Sequence, residues 1–221
     1  MFSKLMKIWS EQAFSSKIIE ELIFMLDSSK EMLIYAFKTL TKKSKGKRFQ
    51  QKIYNKDKLI NLQEQNIRKQ ILIHLSVNPG GDISAYLSLL IIAKDAERLG
   101  DYVKNLFELN ILMKNDKSDD NLFNRIFDEI GNELLVLFNK VSESFKTSDE
   151  LLSSEAVQEG REIAKKCEDV IHEVIKSKNS PRQAVVLALG ARYIMRIALH
   201  LSNIASSVTK PMVQTDFIKI K

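Results

Sequence analysis

Apolar residues recur along this chain at intervals of three, four and seven, and each such run describes one face of a helix. Between residues 11 and 41 the stripe is Ile19, Leu22, Ile23, Leu26, Leu33, Phe37 and Leu40. Residues 41–48 then turn polar, with Lys42, Lys43, Lys45, Lys47 and Arg48 around Gly46. That composition predicts an exposed connection with Gly46 as the breaker. A second helix is expected over about residues 55–76, with Ile60, Ile67, Ile71 and Leu75 inward. Asn78-Pro79-Gly80-Gly81-Asp82 is the clearest turn, and Asp82 is a suitable N-cap for a third helix over 82–113.

The polar stretch 114–120 is the candidate boundary between two halves. Beyond it, Leu122, Ile126, Phe127, Ile130, Leu134, Leu137, Phe138, Val141 and Phe145 form a strong fourth stripe. Thr147-Ser148-Asp149-Glu150 has capping-box spacing and predicts a fifth helix that buries Val157, Ile163, Cys167, Val170 and Val174. Ser180-Pro181-Arg182-Gln183 is a second capping box with proline at the first helical position. The sixth helix runs from there to about residue 207, and the tail from Pro211 is expected to be loosely held. The fold class is therefore all-α, two tandem three-helix bundles, with residues 1–115 in the first repeat and 116–221 in the second.

The third and sixth helices can be laid on each other. Matching Arg98 to Arg196 brings Ala93 onto Ala191, Leu99 onto Ile197, Gly100 onto Ala198, Asn105 onto Asn203 and Leu106 onto Ile204. The same register sets Glu97 on Met195 and Asp101 on Leu199. The scaffold repeats and the carboxylates do not.

Composition agrees with long helices, since 7 glycines and 3 prolines among 221 residues leave few breakers. A hydrophobic share of 44% is enough for a substantial core. Cys167 is the single cysteine, so no internal disulfide forms and a reducing compartment fits. Lys7, Glu11 and Lys17 interrupt the N-terminal apolar residues, which argues against a signal peptide. The longest near-apolar run, 85–93, is far short of the ~20 residues of a membrane span. A soluble cytoplasmic protein is expected. The net charge of +6 permits anionic partners without requiring any. No aromatic residues interleave with the cations of 42–48, which argues for a solvated connection and against nucleic acid.

Candidate chemistry centres on Asp95-Ala96-Glu97-Arg98-Leu99-Gly100-Asp101, inside an otherwise apolar helix. Glu97 and Asp101, four apart, share one helical face, where like charges repel unless a cation lies between them. Hard oxygen ligands so paired suit a metal ion. Arg98 is placed to neutralise one of them, which is the competing explanation. Gly100, costly inside a helix, points to a close approach of a neighbouring helix. His74, His172 and His200 are too far apart to form a helical ligand pair, and His74 and His200 sit in apolar contexts. Cys167 falls on an inward stripe, as a structural thiol would. Neither a P-loop nor a dinucleotide fingerprint nor a nucleophile elbow is present, so no residue is assigned to catalysis.

These residues resemble the PhoU family of phosphate-uptake regulators. Each three-helix repeat of that family carries a motif close to D-x-E-R-I-G-D-x-x-x-N-I, here Asp95-Ala96-Glu97-Arg98-Leu99-Gly100-Asp101-Tyr102-Val103-Lys104-Asn105-Leu106. The second-helix pattern is similar to Asp57-Lys58-Leu59-Ile60-Asn61. The resemblance implies a metal site with Glu97 and Asp101 as ligands, supported by Asp57 and Asn61, holding iron, manganese, zinc or magnesium. In the second repeat Gly160 and Ala164 take the slots of Asp57 and Asn61, so one site is expected rather than two. Glu159 and Glu162 lie close to those slots, and a shifted register would bring them in. The implied function is a cytoplasmic, non-enzymatic, metal-binding regulator of phosphate transport and phosphate-responsive signalling. Its partners would be a phosphate transporter's cytoplasmic components or a sensor histidine kinase, and it would approach the membrane through them. A metal-free helical scaffold and a carboxylate-metal phosphohydrolase are the alternatives. The apolar pair Met195 and Leu199 would either form a homodimer face or pack against a neighbouring helix.

Overall fold

The computed structural model describes residues 2–42, 47–78, 83–113 and 120–209, and all of its regular structure is helical. The first repeat consists of α1 (Phe2–Lys42), α2 (Lys47–Val77) and α3 (Ile83–Leu112). In the second, α4 starts as Asp120–Asn124, passes through a π-helical stretch Arg125–Ile130 and continues as Gly131–Thr147. It is followed by α5 (Glu150–Lys176) and α6 (Pro181–Thr209). The expected all-α architecture of three and three is what forms.

Two boundaries differ from expectation. α2 begins at Lys47, well before residue 55, because Phe49 and Ile53 extend its inward stripe. Ile53 is fully buried, and Phe49 stacks on Tyr35 of α1 at 5.2 Å. At the start of α5 the cap is Asp149, whose carboxylate accepts from the Leu152 backbone N–H at 2.9 Å. Thr147 instead closes α4, donating to the Glu143 carbonyl, and Ser148 terminates that helix in the left-handed conformation at φ 54°. The second capping box forms as expected, with Ser180 N–H donating to Gln183 Oε1 at 2.9 Å and Gln183 N–H to Ser180 Oγ at 3.3 Å. Gly46, the Asp82 cap, the link at 114–119 with the proposed 115/116 boundary, and the tail from Pro211 lie outside the described residues.

Buried side chains from all six helices join in one connected core. Within the repeats α2 packs on α3 and α5 on α6, while α3 meets α6 and α1 meets α4 between them. The α3–α6 contact carries a polar clasp. His200 Nδ1 lies 2.9 Å from Asp95 Oδ1, the His200 ring stacks on Tyr102, and Arg196 Nε donates to the Tyr102 hydroxyl at 3.2 Å. Its apolar stretch makes α6 long and hydrophobic enough to cross a bilayer by composition, but 56% of that stretch is buried inside the bundle, as a core helix requires. Met195 is buried and Leu199 packs against the core, so the internal-packing alternative for these two is the one observed.

Candidate functional site: the seam between α2 and α3

α2 and α3 run antiparallel, and their register is set by cross-helix pairs. Tyr54 donates to Glu108 Oε1 at 2.7 Å, and Lys104 Nζ to Asp57 Oδ2 at 2.8 Å. Ile60 lies against Gly100, where an added Cβ would come within 3.2 Å of Ile60 Cδ1. Gly100 thus has the packing role expected of it, holding α3 close to α2.

This register brings the sequence candidates Asp57 and Asp101 together across the seam, with a lysine between them. Lys104 Nζ is 2.8 Å from Asp57 Oδ2 and 3.4 Å from Asp101 Oδ1. The lysine side chain is 23% exposed and that of Asp57 13%, so the pair is shielded from the screening that weakens surface ion pairs. Burial opposes the ammonium charge, yet the hydrogen bond to Asp57 and the attraction of Asp57 and Asp101 outweigh it, and the Lys104 pKa is raised. Asp101 is also met by Arg98 Nη1 at 3.6 Å. Glu97 is held mainly by Lys94 Nζ at 2.7 Å, with Arg98 Nε at 4.0 Å. Asn61 is half-buried one turn after Asp57.

The expected ligands are therefore each placed, and the cations that face the three acids belong to the chain. Arg98, the foreseen competitor, plays the smaller part beside Lys94 and Lys104. Among the described residues no group of three or more His, Cys, Asp or Glu side chains gathers to hold a metal. A divalent ion between Asp57 and Asp101 would have to displace an ammonium already hydrogen-bonded to both. As arranged, the donors Glu97, Asp101, Asp57 and Asn61 do not fit a metal centre, because Lys104 stands between Asp57 and Asp101 while Glu97 is turned to Lys94.

Sequence reasoning missed three members of this seam. Lys94 lies three residues before Glu97 and Lys104 three after Asp101, spacings that put each on the same face as its acid. Glu64, at only 5% exposure, is the most buried acid on α2 and pairs with Arg68 one turn on. Its position was legible too, since Asp57, Asn61 and Glu64 follow at four and three on one face.

Among the described residues no ion pair joins α5 to α6 in the corresponding seam of the second repeat. Gly160 of α5 faces Ser202 and the Ala198 carbonyl of α6, as Asp57 faces Lys104. That contact agrees with the register inferred from sequence. Glu159 points instead to Lys140 of α4, and Glu162 accepts from Gln158 on its own helix, so neither enters the seam. Cys167 is fully buried, and burial pushes its thiol pKa up to about 12, with lesser contributions from Glu133 and Glu168. His74 is packed under the Phe14 ring at 4.1 Å and 3.0 Å from the Tyr86 hydroxyl.

Residues 22–109, within α1–α3, match the family model of the PhoU domain. Among solved structures, the chain is similar to PhoU from Pseudomonas aeruginosa at 18% identity and a TM-score of 0.79, over 89% of this chain and 96% of that one. It is also similar to the phosphate transport system regulatory protein PhoU from Streptococcus pneumoniae, at 19% identity and a TM-score of 0.69, over 89% and 95% of the two chains. No curated protein sequence matches.

Proposed function

Starting from a PhoU domain in α1–α3 and the fold of PhoU structures over both repeats, we propose that this chain regulates phosphate transport and phosphate-responsive signalling. It does so in the cytoplasm and by protein–protein contact, without catalysis. The observation that carries this reading is the PhoU domain match over residues 22–109. The physical body suits the role. Six packed helices around one core give a rigid, extended surface, and charges along α2 and α3 supply the electrostatic complementarity that orients a partner. The partners that fit are the cytoplasmic components of a phosphate transporter or a sensor histidine kinase.

A carboxylate-metal phosphohydrolase would need several acids converging on two ions. Among the described residues no three such side chains gather at one point, and Asp57 and Asp101 are already bridged by Lys104, which favours the regulatory reading. Deleting the gene should release phosphate uptake and phosphate-responsive transcription from their dependence on external phosphate, and restoring the full chain should recover it. Uptake and transcription that respond normally in the deletion strain would overturn the proposal.

A further inference from the structure

The seam between α2 and α3 has the form of an ion-binding site with its ion supplied by the chain. We infer that Lys104 is a built-in replacement for the metal that the PhoU resemblance leads one to expect, so that this protein holds its first repeat together without a metal. The inference uses the PhoU reading only for that expectation of a metal, and it stands on geometry. Asp57 from α2 and Asp101 from α3 converge, and a single ammonium reaches both at 2.8 and 3.4 Å. A metal bridging two helices does the same work, neutralising acids that would otherwise repel and tying one helix to the next. A covalently attached cation does it at no cost in binding and at any metal concentration.

The neighbouring charges fit this arrangement. Lys94 covers Glu97, Arg98 reaches toward both Glu97 and Asp101, and Arg68 covers Glu64, so these neighbouring acids each meet a basic side chain, while Glu108 accepts from Tyr54. The second repeat extends the same trend, because Gly160 and Ser202 stand in the positions of Asp57 and Lys104. One repeat has replaced the ion with a lysine and the other has removed the need for any cation.

The test uses the full chain and manganese or zinc alone as probe, with no phosphate assay. Wild-type protein, desalted after purification, should carry far less than one metal per chain, and its thermal unfolding should not move when manganese or zinc is added. Lys104→Met should unfold at lower temperature and gain a metal-dependent upward shift that the added change Asp57→Asn abolishes. Lys104→Arg, which keeps the charge, should stay insensitive to metal. Near-stoichiometric metal in the wild type that Asp101→Asn removes would overturn the inference, whatever the variants at 104 do. A Lys104→Met protein that folds and shows no metal-dependent shift would overturn it too. Neither result touches the regulatory reading, which stands or falls on phosphate control in the deletion strain.

Discussion

The two inner seams of this protein, α2 on α3 and α5 on α6, share one register and are held by different physics. In the first, Ile60 against Gly100 sets the approach, and a line of lysines and carboxylates runs along the outer edge. In the second, Ser153, Ala156, Gly160 and Ala164 lie on one buried face of α5. Ser153 Oγ donates to the Ala205 carbonyl and Ser202 Oγ to that of Ala198. With the register that sets Asp57 on Gly160, Glu64 falls on Cys167, Glu97 on Met195, Asp101 on Leu199 and Lys104 on Ser202. Each of these five charges of the first seam is met by a small or apolar residue in the second, while Lys94 and Arg98 keep theirs as Arg192 and Arg196. The lesson is that the three-helix repeat needs a close approach between its second and third helices, and tolerates two ways of making it.

The sharpest expected contrast is at Cys167, the counterpart of Glu64. A charge at that slot in the first repeat is tolerated because Arg68 covers it, whereas in the second Cys167 is fully buried and burial pushes the thiol pKa up to about 12. Against an ordinary thiol of pKa near 9, the thiolate fraction at neutral pH falls by about a thousandfold. Alkylation by iodoacetamide in the native protein should be slowed by at least that factor and become normal in denaturant. Rapid native labelling would show that the α5 seam opens to solvent.

Packing in the second seam comes next. A Cβ on Gly160 would lie 2.0 Å from Ser202 Oγ and 3.0 Å from the Ala198 carbonyl oxygen. The hydroxyl can rotate away, but the carbonyl is helix backbone and cannot. Gly160→Ala should therefore cost about 3 kcal/mol, at the upper end of overpacking penalties. In a chain of this length that corresponds to a Tm loss of roughly 6–12 °C by calorimetry. A loss near zero would mean that α5 and α6 slide apart without cost, and the comparison of seams would fail.

How much of this was open to reading from the chain differs between fold and site. Apolar stripes predict four of the six helices because burial of one helical face is a local pattern, and the turn at 78–82 and the capping box at 180–183 start the other two. The start of α2 escaped because Lys47, Arg48, Gln50, Gln51 and Lys52 mask the two residues, Phe49 and Ile53, that carry its stripe. The α5 cap was placed at Thr147 because three capping residues stand in a row, and only the left-handed turn at Ser148 decides for Asp149. At the site, the acids announced themselves by their spacing. The lysines stand three residues from Glu97 and Asp101, but spacing alone does not assign them, since a lysine facing water and one facing Asp57 look alike until α2 is laid on α3. Which cation fills a pair of carboxylates is a tertiary fact.

Lys104 then separates the seams by their response to pH. Its raised pKa means that the folded state holds the proton more tightly than the unfolded chain does. The stability it contributes is fully present below the ordinary lysine value of 10.5 and is lost as pH rises through the raised one. At neutral pH, Lys104→Met should cost about 2 kcal/mol by urea unfolding, from the lost charged hydrogen bond and the acids left behind. That gap between variant and wild type should close above about pH 10.5. A gap that persists undiminished at alkaline pH would assign the loss to packing by the lysine's methylenes rather than to its charge.

The smallest effect is expected at Gly100, and its sign is the informative part. A Cβ there would meet Ile60 Cδ1 at 3.2 Å and Cγ2 at 3.5 Å, the far ends of a side chain that can give by a few tenths of an ångström. Replacing glycine by alanine inside a helix otherwise gains about 1 kcal/mol. Gly100→Ala should thus be neutral or stabilising by up to about 1 kcal/mol, where Gly160→Ala is costly. The difference follows from what each glycine faces: a rotatable isoleucine in the ionic seam, a backbone carbonyl in the second. Were Gly100→Ala to destabilise as strongly as Gly160→Ala, the α2–α3 seam would depend on helix contact as close as its partner's, with the Lys104 bridge secondary to it. A gain in Tm would instead leave the Lys104 bridge and the Tyr54–Glu108 bond as the polar ties between the two helices.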